Sequence, residues 1–175
     1  MNQLSFPIGQ FTTPDQVTPE EIQQFIERIA ALPAKMRATV ANLTPEQLNT
    51  PYRPEGWTVL QVIHHVPDSH MNAYIRFQWG LTEDAPTIKV YNEKDWTALE
   101  YLNEVPPEVS LTILESVHQR LVYLLRSLDE ASWNRTFFHP EYNQEYSLKQ
   151  ALAMYAWHGD HHLAHITSLK ERMNW

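Results

Sequence analysis

The stretch "SLKQALAMYAWHGDHHLAHITSLKERM", residues 147–173, decides the fold, and it carries four histidines between positions 158 and 165. Ser147, with Gln150 three residues on, is the pattern of a capping box, and Lys170 and Arg172 sit at the far end, where cations offset the helix dipole. The apolar residues Leu148, Leu152, Tyr155, Ile166, Leu169 and Met173, together with Gly159, recur at helical spacing, which predicts one helix from Leu148 to about Arg172. At about 100° per residue, His162 falls in the middle of the apolar stripe. His158 lies one turn earlier and about 40° to one side, whereas His165 and His161 lie progressively further round, with His161 tending toward solvent. Phase therefore picks His158 and His162 as the inward pair. Gly159 is costly in a helix interior, and its missing side chain leaves room for a partner helix or a ligand.

Three more long segments carry helix signals. Thr18-Pro-Glu-Glu opens the first, expected to run to about Leu43 with a kink at Pro33, and a second Thr-Pro-Glu-Gln at 44–47 starts a short turn. The next long helix is expected from Trp57 to about Leu81 and the third from a Ser110 cap through Leu128. Between them, residues 82–107 mix prolines with polar side chains and read as a long connection holding one helical turn. Residues 129–146 read as a loop in which Phe137, Phe138 and Tyr146 are short-strand or lid material. Four amphipathic helices with one long crossover connection predict an all-α four-helix bundle, a single domain over residues 1–175.

Composition narrows the function. The chain has 175 residues, four glycines and a formal charge of −8, with no block of Lys or Arg, so a nucleic-acid partner is not expected. No segment reaches the roughly 20 apolar residues of a membrane span, and the N-terminus has no basic, apolar leader; a cytoplasmic protein is expected. With no cysteine, any metal must be held by His, Asp or Glu, which puts the weight on nine histidines.

Seven of these form two groups: His64, His65 and His70 on the second long helix, and the four already named on the last. Bundle interiors build metal sites from facing helices, and histidines at i and i+4 present imidazoles from adjacent turns. On the second long helix the apolar stripe is Val59, Val62, Ile63, Val66, Ala73 and Phe77. His65 borders it in a polar line with Thr58, Gln61, Ser69, Asn72 and Arg76, His70 sits deeper, and His64 is on the far side. Phase alone lets His65 and His70 compete, and Pro67 removes the helical bond to the Ile63 carbonyl beside them. A lone histidine on such a helix is ordinarily a core or boundary residue, but the joint pattern suits zinc, nickel or another borderline divalent ion with one coordination position left for water.

The segments "PYRPEGWTVLQVIHHVPDSHMNAYIRF" and "YAWHGDHHLAHITSLKERMNW", with "FFHPEY" and "FPIGQF", resemble the YfiT group of the DinB-like superfamily over nearly the whole chain. The resemblance implies a cytoplasmic, homodimeric four-helix bundle labelled a metal-dependent hydrolase, with one zinc or nickel ion per subunit. By motif the implied ligands are His65, His158 and His162; the choice of His65 over His70 comes from the resemblance alone. Two positions depart from the group's pattern, Pro67 in place of a small helix former and Asp160 in place of a histidine.

Such a centre activates water for attack on an ester or amide of a small-molecule substrate. Asp68 is the candidate general base, with Glu141 and His139 as alternatives, and Asp68 could equally orient a ligand imidazole. The rival activity is transfer to a low-molecular-weight thiol cosubstrate, resembling the bacillithiol-type S-transferases, in which the metal holds the thiolate. Arg53, Arg76 and Lys89 could neutralise that thiol's carboxylates. A non-catalytic metal-binding module ranks third, because a structural zinc takes four protein ligands and the motif supplies three.

Overall fold

The computed structural model describes residues 3–175. Four long helices make the frame: α1 (Pro19–Val40), α3 (Val59–Thr82), α5 (Pro107–Arg126) and α7 (Leu148–Met173). Capping boxes at Thr18, Thr58 and Ser147 start α1, α3 and α7, each satisfying backbone donors that a helix start leaves orphaned. Around the bundle, α1 packs against α5 and α7, and α3 packs against the same two, so α1 and α3 stand across the core from each other, as do α5 and α7. The core divides into two apolar clusters. One is built around Ile26, Phe77, Leu121, Leu148 and Tyr155, the other around Leu32, Met36, Val62, Leu114 and Ile166.

The connections hold more structure than expected. Between α1 and α3 lies the single turn α2 (Pro45–Leu48); between α3 and α5 lie α4 (Glu93–Thr97) and a 3₁₀ turn, Glu100–Glu104. After α5 come α6 (Glu130–Trp133) and a hairpin of β1 (Thr136–His139) and β2 (Gln144–Ser147), with Phe137 opposite Tyr146 and His139 opposite Gln144. Asn143 closes the hairpin loop at φ +47°, a left-handed conformation that asparagine tolerates better than most side chains. Ile88 donates to the Phe138 carbonyl at 3.0 Å, so the long connection is tied to the hairpin. No helix among the described residues is long and apolar enough to cross a membrane.

Three expectations need correction. α5 begins at Pro107, not after Ser110: proline fits the first helical position, where its missing N–H costs nothing. Ser110 is instead buried and its Oγ lies 2.7 Å from His64 Nδ1. His64 is therefore not on an outer face, since α3 is covered on nearly every side and 14 of its 24 residues are buried. α1 ends at Val40, short of Leu43, with Pro33 inside it.

Candidate metal centre

α3 and α7 are neighbours, and at their seam His65, His158 and His162 each offer a ring nitrogen, all within 4.8 Å of one another. The Nε2 atoms of His65 and His158 are 3.3 Å apart. Tetrahedral zinc with Zn–N bonds of about 2.0–2.1 Å separates its ligand nitrogens by roughly that distance, so the donor set fits the ion it implies. The three rings meet at steep angles, 59° to 68° between planes, and Trp57 covers His65 with 4.6 Å between ring centroids. His70, the competitor by phase, is wholly buried and points past the cluster. Its place is behind His158.

Behind His158 runs a chain of hydrogen bonds that touches all four long helices. His158 Nδ1 is 3.3 Å from His70 Nε2, His70 Nδ1 is 2.8 Å from His118 Nε2, and His118 Nδ1 is 2.6 Å from the Ile29 carbonyl of α1. A carbonyl can only accept, so His118 Nδ1 carries the proton and, in the neutral ring, Nε2 accepts from His70 Nδ1. The same logic makes His70 Nε2 accept from His158 Nδ1, which leaves His158 Nε2 as a bare lone pair facing His65. Burial favours the neutral rings throughout: it pulls His118 down to about 4 against the opposing Ile29 hydrogen bond, and His70 and His158 well below the ordinary value, where neighbouring histidines add to the shift. The chain ends on Ile29 because Pro33, four residues later, has no N–H to give that carbonyl. An interruption in α1 thus supplies the acceptor that fixes a tautomer on α7.

His162 is held differently. Its Nδ1 is buried with no hydrogen-bond partner among the described residues, and its ring is packed by Trp57, His161 and His165. Burial lowers it well below the ordinary value, followed by His158 and His65; burial also brings His65 to about 4. His161 is not turned to solvent. It stacks on Trp157 at 4.4 Å and meets Phe6 at 5.7 Å, because the segment before α1 lies along α7 and covers that face. The same segment takes His165, whose Nε2 donates to the Ser5 carbonyl at 3.1 Å while its ring stacks on Tyr52 at 3.9 Å. Gly159 makes room for a partner helix: a Cβ there would stand 2.4 Å from Leu32 Cδ2 of α1.

The remaining candidates separate. Asp68 makes no side-chain hydrogen bond and is not among the convergent ligands; burial alone pushes its carboxyl up to about 6. It does not orient a ligand imidazole, a task that falls to His70. Glu141 is exposed in the hairpin loop, whereas His139 is buried and stacks on Tyr142. Of the three basic residues, Lys89 is exposed and Arg53 lies over Tyr52, but Arg76 is buried and lines a cavity of about 400 Å³ whose wall includes His158. A slightly larger hollow of about 500 Å³ lies between α1 and α5 and touches none of the three convergent histidines.

Fold and cluster together define a four-helix bundle with a tris-histidine centre at one helix seam. The chain belongs to the DinB superfamily, whose pattern matches residues 28–166. It is 51% identical over its full length to full-length proteins of Bacillus mycoides (strain KBAB4) and Bacillus cereus (strain 03BB102), each named "Putative metal-dependent hydrolase". Its fold is similar to that of YfiT from Bacillus subtilis, described as "a probable metal-dependent hydrolase with an unusual four-helix bundle topology". That match has a TM-score of 0.96, 43% identity and 99% coverage of both chains. The mycothiol-dependent maleylpyruvate isomerase shares the fold alone, at 16% identity and a TM-score of 0.62 over 87% of this chain and 63% of that one.

Proposed function

We propose that the protein is a metal-dependent hydrolase holding one divalent ion, zinc or nickel, on His65, His158 and His162. The observation that carries this is the convergence of three neutral ring nitrogens within 4.8 Å, one of them fixed as a lone pair by the chain to Ile29. A divalent ion in that donor set supplies Lewis acidity, lowering the pKa of a water and polarising the oxygen of an ester or amide. The protein's own residues do the rest. Trp57 covers the cluster on one side and limits water there. His158 keeps its lone pair outward without a proton having to leave it. Asp68 is the candidate for proton transfer, since a carboxyl raised to about 6 can take and return a proton near neutrality. Hydrolysis then consumes one water and releases an acid with an alcohol or amine.

Metal stoichiometry on the native protein and on His65→Ala and His162→Ala tests the ligand set: about one ion per chain is expected, falling to near zero in either variant. Ester and amide turnover, measured with and without a small thiol, tests the reaction. Undiminished metal in both variants overturns the site. Turnover that requires the thiol, with no hydrolysis, overturns the hydrolase reading in favour of S-transfer.

A further inference from the structure

The cavity beside His158 is walled largely by rings, among them Phe11, Phe137, Tyr142 and Trp157. One full charge is set into that wall. Arg76 is only 7% exposed; its Nη1 donates to Tyr155 Oη at 2.7 Å and its Nη2 to the Lys89 carbonyl at 3.4 Å, while Nε has no partner among the described residues. Both acceptors are neutral, and none of the ion pairs among the described residues includes Arg76. Glu93 and Glu141, the acidic residues near Tyr142 on the same wall, are exposed and make no ion pair with it. A guanidinium stays protonated at any working pH, so this is a buried cation without a counter-charge, an arrangement that is costly unless a ligand supplies the anion. Two further buried polar atoms on the wall, His139 Nδ1 and Trp157 Nε1, also have no partner among the described residues.

We propose that this cavity is the substrate's seat and takes a small amphipathic carboxylate. The carboxylate pairs with Arg76, whose planar donors match that group, and the apolar or aromatic body lies against the ring wall. A volume of about 400 Å³ suits a small molecule of one ring and a short chain. Bound so, the substrate reaches past Arg76 toward His158, which places its reacting bond at the metal centre; this last step rests on the hydrolase reading, whereas the binding itself does not.

The test is calorimetric titration of the full-length protein, metal-free and metal-loaded, with 3-phenylpropionate and with its uncharged amide. The metal-free protein is expected to bind the carboxylate at least about tenfold tighter than the amide. Arg76→Gln removes that preference, and Arg76→Lys, which keeps the charge but not the planar fork, keeps only part of it. Since Arg76 is buried and bonded to Tyr155, Met154→Trp serves as a second variant that fills the cavity and leaves the arginine intact; it is expected to weaken both ligands alike. Equal affinity for the two ligands, no saturable binding of either, or carboxylate binding that vanishes with the metal overturns the proposal. Metal content of the same samples reads the tris-histidine centre separately, so a protein that binds metal but not the carboxylate fails here alone.

Discussion

His158 and His162 stand one turn apart on α7 and converge with the same residue of α3, yet what lies behind them has nothing in common. Behind His158 the bundle presents a directed chain, His70 then His118 then the Ile29 carbonyl, in which each ring's proton is dictated by the next. Behind His162, among the described residues, there is no hydrogen bond at Nδ1, only the faces and edges of Trp57, His161 and His165. The first side is fixed in tautomer; the second is fixed only in position, by rings of which the segment before α1 covers His161 and His165. The contrast shows how a bundle can preorganise one donor through all four helices while leaving another free to choose its tautomer when a ligand arrives.

Acid attacks both sides, and this is the largest expected effect. Burial holds His118 on the first side, and His161 and His165 on the second, at about 4. The unfolded chain titrates near 6.5, so between about pH 6.5 and 4 it binds protons that the folded protein refuses. The stabilisation is fully present above about pH 6.5 and is lost as pH falls through that window, at about 1.4 kcal/mol per pH unit for each such histidine. Denaturant unfolding of the metal-free protein from pH 7.5 downward should show this steep fall. His118→Phe and His165→Phe should each lower the slope by one proton; a variant that leaves the slope unchanged marks its histidine as already charged in the folded state.

Breaking the chain separates the two sides. His118→Ala removes the group that dictates the proton on His70, and hence on His158, without touching the convergent rings. Metal affinity should fall about 10- to 100-fold. ¹⁵N spectra of the metal-free protein should show His158 changing from one tautomer to a mixture while His162 stays as it was. Trp57→Leu, on the other side, should shift affinity less and leave the His158 tautomer alone. Equal losses from the two variants, with no change in the His158 signals, would mean that the chain is packing and nothing more.

The sequence shows these two sides unequally. The inward phase of His158 and His162 is legible because a helix stripe fixes direction, and the structure brings both to the seam with His65. His65 and His70 could not be separated by phase, because α3 is buried on nearly every side and both positions face protein. His118 carried no signal: it is a single histidine on α5, and its partners lie 48 and 89 residues away. One clue was available, since a proline inside a helix strips the donor from the carbonyl four residues before it, which marks Ile29 as an acceptor in search of a partner. Helical phase turns His161 toward solvent because it reckons only with other helices, whereas the cover of His161 is an irregular segment some 150 residues earlier, about Phe6. Asp160, beside it, is half-buried and pairs with Arg28 of α1 at 2.7 Å.

Gly159 sits between the two ligands and faces the third direction, α1, so it tests whether the contrast is confined to the α3 seam. Alanine is favoured over glycine inside a helix by about 1 kcal/mol, but the added Cβ would stand 2.4 Å from Leu32 Cδ2, and Leu32 is itself fully buried. Overpacking of this kind costs about 1–3 kcal/mol, so Gly159→Ala should lose roughly 1 kcal/mol net. Leu32→Val removes the colliding methyl, and the double variant should be more stable than the sum of the two single changes by a coupling of about 1 kcal/mol. Metal affinity should move little, because the clash is taken up by Leu32 on the α1 side while His158 and His162 face α3. Additive stabilities would show that Leu32 swings aside freely. A large loss of metal binding would show that the backbone of α7 moves as one piece and that neither ligand is insulated from the opposite face of its helix.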